Sequence, residues 1–223
     1  MSYYPILIEL DGKKVLVVGG GRVAQRKAVT FLEYGAMINM ISIELTPKLK
    51  GMVEDGKITH LGAGFRDQHL DGVFLVVAAT DDKGLNHKIS ESALKRGVLI
   101  NAVDQPSDCS FIVPSIVRRG DLVIAISTSG KSPALAKKIR KELETQFGNE
   151  YETFLVLMDR LRKEILRKGL SQEENSRVFR EIVDSGALKA LGQGKLDEVE
   201  SILGRILTGY PAVKDVLKDF VRY

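Results

Sequence analysis

The fold of this chain is decided by one stretch, Val15-Leu16-Val17-Val18-Gly19-Gly20-Gly21-Arg22-Val23-Ala24. It opens with four consecutive apolar residues, which is typical of a strand buried on both faces of a parallel sheet. Three glycines follow, and the segment 23–34 then predicts a helix that ends at Gly35. A strand, a glycine turn and a helix in this order begin a βαβ unit of the kind that binds dinucleotides.

The glycine spacing matches the G-x-G-x-x-G/A fingerprint, with Gly19, Gly21 and Ala24 in its three slots. The first glycine permits a tight turn, the second lets the backbone approach a pyrophosphate, and the third allows close helix–strand packing. The alternative is a glycine-rich turn without a ligand, but three successive glycines cost backbone entropy and need a reason. The expected dinucleotide contacts here are Gly19, Gly20, Gly21, Arg22 and Val23.

Strands and helices alternate along the first half of the chain. The predicted strands cover 37–43, 58–61, 73–78 and 98–101. One predicted helix starts at Thr46-Pro47, and another covers 83–96. This alternation predicts an α/β fold with a doubly wound parallel sheet of the Rossmann type.

The pattern changes after Asp104. Two strand-like runs, 110–117 and 122–127, are separated by a link too short for a helical crossover, so we expect a β-hairpin. A helix over 133–147 follows, and from residue 150 to 223 the chain is predicted to be helical. The expected breaks are Gly169, Gly186, Gly192, Gly194 and Gly209-Tyr210-Pro211. The predicted domains are an NAD-binding Rossmann domain (1–113), a dimerisation segment (114–148) and a helical domain (149–223).

Composition narrows the class of protein. The chain has 223 residues and one cysteine, Cys109, so an internal disulfide is excluded and a reducing compartment is favoured. The N-terminus lacks the pattern of a signal peptide, and no apolar run approaches the roughly 18 residues of a membrane span. We therefore expect a cytoplasmic protein without a membrane partner.

The net charge of +4 does not by itself indicate nucleic acid. The basic residues are dispersed and tryptophan is absent, so there is no interleaved pattern of stacking and phosphate-binding side chains. We expect no nucleic-acid partner, and an acidic small molecule explains the charge at least as well.

The end of the second strand should select the cofactor. Glu44 lies 20 residues past Ala24, where an acid that binds the adenosine ribose is expected. The segment Ser42-Ile43-Glu44 has no arginine for a 2′-phosphate, so NAD is favoured over NADP, with a solvated loop carboxylate as the alternative. After the fourth strand, Ala79 and Thr80 are candidate cofactor contacts, unless Thr80 or Asp81 only caps the next helix.

Asp104 is the candidate catalytic residue because it follows the fifth strand at the edge where the nicotinamide is expected. A carboxylate there could accept a proton while a hydride leaves to NAD⁺. An aspartate at a strand end is more often a cap or turn residue, and spacing alone does not decide. Other catalytic arrangements fit the sequence poorly. The histidines are scattered, so no spacing indicates a zinc site. Tyr210 and Lys214 form the Y-x-x-x-K pair of some dehydrogenases, but in the helical tail we interpret it as a chance match.

A polar turn, Thr128-Ser129-Gly130-Lys131-Ser132-Pro133, precedes the helix of 133–147. Ser132 and Pro133 predict an ordinary N-cap followed by proline at the first helical position. Binding of carboxylates or phosphates at this helix start would be additional.

Five motifs, in this order, resemble the precorrin-2 dehydrogenases, both stand-alone enzymes and the N-terminal module of siroheme synthases. They are 18–27 (VGGGRVAQRK), 78–82 (AATDD), 101–104 (NAVD), 110–115 (SFIVPS) and 129–133 (SGKSP). The resemblance is close over roughly residues 1 to 150 and loose in the helical tail.

The resemblance implies NAD-dependent oxidation of precorrin-2, a tetrapyrrole with many carboxylates, to sirohydrochlorin. It implicates Asp104 as general base and in metal insertion, and a homodimer formed through the segment after the Rossmann domain. The implied cofactor contacts are the glycine loop, Arg22, Val23, Ile43, Glu44 and Thr80, to which we add Ala79 and Asn101. The candidate substrate contacts are Ser110, Thr128, Ser129, Gly130 and Lys131.

Two departures from the family pattern qualify the resemblance. Thr128 stands where the bifunctional enzymes have a serine, which puts a regulatory or chelating role of that hydroxyl in doubt. The sequence ends at Tyr223 without a methyltransferase module, so we do not expect it to make precorrin-2. Two interpretations stay open: additional ferrochelatase activity with no resident metal, and a non-catalytic module that senses NAD.

Overall fold

A computed structural model describes residues 3–208 and Val216. The chain divides into two compact units at the Val113–Pro114 bond. The first unit has five strands: β1 (Lys14–Val18), β2 (Met37–Ile41), β3 (Ile58–Gly62), β4 (Leu75–Ala78) and β5 (Leu99–Ala102). Its helices are α1 (Arg22–Glu33), α2 (Pro47–Glu54) and α3 (Lys83–Lys95), with short 3₁₀ turns at Asp67–Leu70 and Pro106–Asp108.

The five strands form one parallel sheet in the order β3-β2-β1-β4-β5. The chain runs outward from β1 to β3, then returns to the other side of β1 and continues through β4 to β5. The strand order therefore reverses between β1 and β4, and in such sheets ligands bind outside the carboxyl ends of the strands at that point. The predicted Rossmann-type fold is confirmed.

Strand β1 lies at the centre of the sheet because both of its faces are covered. Val15 and Val17 pack into the core that α1 and α2 cover, whereas Leu16 and Val18 pack into the core beneath α3. Side chains of successive strand residues point to opposite faces, so a strand buried on both sides must be apolar at every position.

The second unit begins with an antiparallel hairpin of β6 (Ser115–Arg119) and β7 (Leu122–Ile126). Five helices follow between residues 133 and 208: α4 (Pro133–Gln146), α5 (Glu150–Leu166), α6 (Gln172–Asp184), α7 (Ala187–Gly192) and α8 (Leu196–Ile206). This unit has its own core, in which Leu157, Leu161 and Ile165 of α5 are fully buried. The helix breaks at the glycines from Gly169 to Gly194 agree with the sequence pattern.

The strand predicted over 110–117 was wrong in its first half, because β6 begins only at Ser115. Residues 110 and 111 bond to the edge strand β5 instead. The Ser110 amide donates to the Ile100 carbonyl at 2.9 Å, and the Asn101 side chain donates to the Phe111 carbonyl at 3.1 Å. Pro114 has no N–H to offer a strand ladder, which explains why the hairpin starts after it.

The assignment of an NAD-binding domain, a dimerisation segment and a helical domain to residues 1–113, 114–148 and 149–223 stays a prediction. The glycine break at 209–211 and the pair Tyr210 and Lys214 lie outside the described residues. Over the described part of the chain, no helix combines the length and the hydropathy of a membrane span.

Candidate functional site

The first two glycines of the loop after β1 are required by the protein's own backbone. Gly19 has φ +120°, and a Cβ built on it would lie 2.2 Å from the Ala79 carbonyl oxygen. A Cβ on Gly20 would lie 1.9 Å from the Glu44 carbonyl oxygen. The loops that follow β2 and β4 therefore both press against this turn, which leaves no space for a side chain.

Gly21 differs from its neighbours, because a Cβ there would meet no atom within 4 Å. It is the N-cap of α1 and supplies no capping side chain, and the first turn of α1 has no acidic residue. The N–H groups and the positive end of the helix dipole thus lack a compensating anion from the capping positions. Open space in front of a bare helix start fits the pyrophosphate of a dinucleotide.

The loop between β2 and α2 is locked onto the glycine turn. The Thr46 amide donates to the Gly20 carbonyl at 3.1 Å, and the Thr46 hydroxyl donates to Oε1 of Gln25, on α1, at 2.6 Å. The Ser42 hydroxyl donates to the Glu44 carbonyl at 2.6 Å. Glu44 is exposed in the middle of this loop, so its carboxylate is available to a ribose hydroxyl.

The sequence predicted Thr46 only as a helix cap and did not indicate Gln25. The cap is present, since the Thr46 hydroxyl accepts from the Leu49 amide at 3.3 Å. Ile43, beside Glu44, is 85% exposed, which is unusual for a large apolar residue and gives this loop an uncovered apolar surface.

Thr80 is held by a buried asparagine of α3. The Asn86 side-chain oxygen accepts from the Thr80 amide at 3.2 Å and from its hydroxyl at 2.7 Å, and the Asn86 amide donates to the Thr80 carbonyl at 2.9 Å. The sequence did not indicate Asn86, although a polar residue among the apolar positions of α3 was a usable signal. Neither Thr80 nor Asp81 caps α3, because Asp82 does so, accepting from the Leu85 amide at 3.0 Å.

Asp104 lies in an exposed turn directly after β5, with a left-handed φ of 59°. The residue before it is fixed to the sheet, since the Val103 amide donates to the Ala78 carbonyl at 2.9 Å. The polar groups of Asn101 and Ser110 are engaged within the protein: the Ser110 hydroxyl accepts from the Ile100 amide at 2.9 Å. Their roles as cofactor and substrate contacts stay predictions.

Three ionisable groups near this edge have shifted pKa values. A hydrogen bond with Asp108, at 2.9 Å, raises the pKa of His87 on α3. Burial raises the pKa of the Cys109 thiol, which donates to the Ala102 carbonyl at 3.2 Å. Burial, aided by Arg26, lowers the pKa of Lys27 on α1. Cys109 is therefore a poor nucleophile at neutral pH, because the thiolate is the reactive form.

The turn of residues 128–131 belongs to the second unit and forms the entrance to α4. The Thr128 hydroxyl accepts from the Ser132 amide at 3.1 Å, and the Ser132 hydroxyl accepts from the Leu135 amide at 3.2 Å, so the predicted N-cap is present. Ser129, with φ 51°, Gly130 and Lys131 are exposed. Binding of substrate by this turn stays a prediction.

The first unit thus brings four groups of predicted site residues to the carboxyl edge of β2, β1, β4 and β5. They are Ile43 and Glu44, the glycine loop with Arg22 and Val23, Ala79 and Thr80, and Asn101 and Asp104. Among the residues described, no cluster of three or more His, Cys, Asp or Glu is arranged to hold a metal ion. A parallel sheet with a bare helix start at its switch point is the architecture of a Rossmann-type dinucleotide-binding protein.

Comparisons with known proteins agree with this class. A family model described as "Putative NAD(P)-binding" matches residues 6–115, and the model of the central region of a sirohaem biosynthesis protein matches residues 119–146. Both matches agree with the resemblance of the chain to siroheme synthases and precorrin-2 dehydrogenases. The family and the nicotinamide dinucleotide cofactor predicted from the sequence are confirmed.

Individual relatives cover most of the chain. It is 36% identical over 203 residues to a siroheme synthase of Photorhabdus laumondii and 38% identical over 195 residues to siroheme synthase 1 of Aeromonas salmonicida, covering 91% and 87% of this chain. The chain spans less than half the length of these relatives, 43% and 42%. A solved structure of SirC, a precorrin-2 dehydrogenase, matches with a TM-score of 0.74 and 26% identity over 99% of this chain and 100% of its own.

Alanine substitutions distinguish the expected role of Gly21 in NAD⁺ binding from the role of Gly20 in the stability of the fold. Gly21→Ala places a methyl group in open space, so we expect its stability to stay within about 1 kcal/mol of the parent. Its affinity for NAD⁺ should fall at least about tenfold, because the methyl group occupies the position expected for the pyrophosphate.

Gly20→Ala is the matched control, and its methyl group clashes with the Glu44 carbonyl. We expect it to destabilise the fold by about 1–3 kcal/mol. Thermal denaturation and titration calorimetry with NAD⁺ measure both effects. Unchanged NAD⁺ affinity in Gly21→Ala would show that the pyrophosphate does not lie on this turn.

The pair of His87 and Asp108 should make stability depend on pH. A histidine whose pKa is raised in the folded state contributes its full stabilisation of the fold below the unfolded-state pKa of about 6.5. This contribution to the free energy of unfolding is lost as the pH rises through the folded-state pKa. Asp108→Asn should therefore lower the pKa of His87, and the Tm deficit of this variant should be larger at about pH 5.5 than at about pH 8.5.

The measurement is a proton NMR titration of His87 together with melting curves at both pH values. Asp71→Asn, which removes the 2.7 Å ion pair of Asp71 with Arg96 at the other end of α3, is the control and should leave the His87 titration unchanged. A His87 curve that Asp108→Asn does not move would contradict the role of this contact.

Proposed function

We propose that this protein is an NAD-dependent dehydrogenase that oxidises precorrin-2 to sirohydrochlorin in siroheme biosynthesis. The observation that carries this proposal is the likeness to SirC, the precorrin-2 dehydrogenase, which extends over the whole of both chains. The five motifs and the geometry of the sheet edge support it independently, since they bring a glycine loop and a carboxylate to the carboxyl ends of neighbouring strands.

NAD rather than NADP is the proposed cofactor. The exposed carboxylate of Glu44 can accept hydrogen bonds from ribose hydroxyls but would repel a 2′-phosphate. The open space at Gly21 and the uncapped start of α1 would hold the pyrophosphate, and Ile43 offers an apolar surface to the adenine. When bound, the nicotinamide supplies the hydride acceptor.

Asp104 is the proposed general base. Its carboxylate is exposed at the end of β5, so it can reach a substrate that lies over the sheet edge and take the proton released during oxidation. The left-handed backbone at Asp104 is tolerated better by aspartate than by most residues, and such conformations cluster at functional sites.

The proposed substrate contacts are Ser110 and the turn of Thr128, Ser129, Gly130 and Lys131. The exposed Lys131 ammonium and the hydroxyls of this turn suit the carboxylates of a tetrapyrrole. We also propose a homodimer that forms through the segment 114–148, as the resemblance to the precorrin-2 dehydrogenases implies. The proposed location is the cytoplasm, where a single free thiol stays reduced.

The first experiment is an anaerobic assay of NADH absorbance with purified protein, NAD⁺ and enzymatically generated precorrin-2. We expect NADH to form together with the absorption spectrum of sirohydrochlorin, and NADP⁺ to be a poorer substrate than NAD⁺. NAD⁺ binding without NADH formation would instead favour a module that senses NAD without turnover.

The substitution Asp104→Asn tests whether Asp104 acts as the general base. It keeps the size of the side chain and should retain NAD⁺ affinity while lowering kcat by about 100-fold or more. Asp55→Asn is the matched control, because Asp55 is exposed between α2 and β3, at the opposite edge of the sheet. Its kcat should equal that of the parent. Near-normal turnover in Asp104→Asn would remove this residue from the mechanism.

A further inference from the structure

The segment between β5 and residue 109, which carries Asp104, is fastened to α3 by a buried carboxylate. Asp108 is 9% exposed. One oxygen of its side chain, Oδ2, accepts from Nδ1 of His87 at 2.9 Å and from Nε2 of Gln105 at 3.0 Å. The Asp108 carbonyl accepts from the buried Ser90 hydroxyl at 2.8 Å. Both the side chain and the backbone of Asp108 are thus bound to the segment or to α3.

Gln105 transmits this attachment to the residue beside Asp104. Its side-chain Nε2 donates to the Lys83 carbonyl at 3.3 Å as well as to Asp108. Its own carbonyl accepts from the Asp108 amide at 3.0 Å and from the Cys109 thiol at 3.4 Å. On the other side of Asp104, the Val103 amide is bonded to Ala78. The backbone is therefore fixed immediately before and immediately after Asp104.

Such fixation is needed because Asp104 has a left-handed backbone in an exposed turn. This conformation costs about 1–2 kcal/mol for most residues other than glycine and less for aspartate, and the surrounding hydrogen bonds offset that cost. A buried carboxylate is stable only while it is hydrogen-bonded, so Asp108 resists any rearrangement that breaks its contacts. The surrounding bonds thus hold a strained turn in one conformation.

We infer, on the footing of the function proposed above, that Asp108 is a positioning residue that acts through Asp104, with His87 as its anchor on α3. Asp108 is too buried to meet a substrate and contributes by fixing where the Asp104 carboxylate is presented. The raised pKa of His87 supports the pairing, because the protonated imidazole strengthens the hydrogen bond to the Asp108 carboxylate.

Kinetics of a double-mutant cycle test this inference. Asp108→Ala should lower kcat by about 10- to 100-fold, since a base displaced by about 1 Å loses that much, while the KM for NAD⁺ changes less than about twofold. In the Asp104→Asn background the same substitution should change kcat by less than about twofold, because its target is already absent. Asp108→Asn, which keeps an acceptor for Gln105 and His87, should restore most of the lost turnover.

The single cysteine gives a second readout that needs no turnover. Cys109 lies at the end of the same segment and is bonded to Ala102 and Gln105, so its reaction with a thiol reagent reports how often the segment opens. We expect Asp108→Ala to speed labelling by about tenfold, equivalent to about 1.4 kcal/mol, and Asp108→Asn to speed it less. Asp71→Ala, which breaks the Asp71–Arg96 ion pair at the far end of α3, should leave the rate unchanged.

The outcomes separate the two proposals. A parent protein that forms no NADH from precorrin-2 refutes the proposed function. An active parent in which Asp108→Ala lowers kcat equally with and without Asp104, or leaves both kcat and labelling unchanged, overturns the positioning role. NAD⁺ affinity and far-UV circular dichroism at the parent's level establish that each variant is folded.

Discussion

Backbone crowding at the end of β1 is the constraint on which the rest of the candidate site depends. Three chain segments converge there, because the Gly19 turn touches Ala79 after β4 and the Gly20 turn touches Glu44 after β2. No residue with a Cβ fits at either glycine, so the two neighbouring loops can approach the turn closely. That approach places the expected ribose-binding acid and the strand end at Ala79 around one helix start, and Gly21 is left facing open space.

The fold was largely predictable from the sequence because its signals are local. Val15 to Val18 predicted a strand buried on two faces, and the caps at Thr46 and Ser132 marked their helices correctly. The strand prediction failed at residues 110–114 because of a contact that is distant in sequence. Those residues have the composition of a strand, but Ser110 and Phe111 are hydrogen-bonded to residues of the edge strand β5 instead of to the hairpin. Composition alone does not register such pairing.

The candidate site was predictable in its outline and not in its supports. Motif spacing indicated which strand ends carry the chemistry, since the ends of parallel strands share an edge. The residues that fix those ends are Asn86 for Thr80, Gln25 for Thr46, and Asp108 for the turn of Asp104. These contacts join residues 3 to 21 positions apart, and of the three supporting residues only Asn86, a polar residue among the apolar positions of α3, left a signal in the sequence.

The two left-handed residues other than glycine in the described chain, Asp104 and Ser129, both occupy positions predicted to meet substrate. Their supports differ in kind. The Ser129 turn is held by hydroxyls within its own few residues, since the Ser129 amide donates to the Ser127 hydroxyl at 3.0 Å. The Asp104 turn is held from outside, by α3 and by β4. A local turn can adapt to a bulky, flexible polyanion, whereas a general base must meet one particular proton. Under the proposed function, the rigid, externally supported turn carries the general base, for which proton transfer demands a fixed geometry.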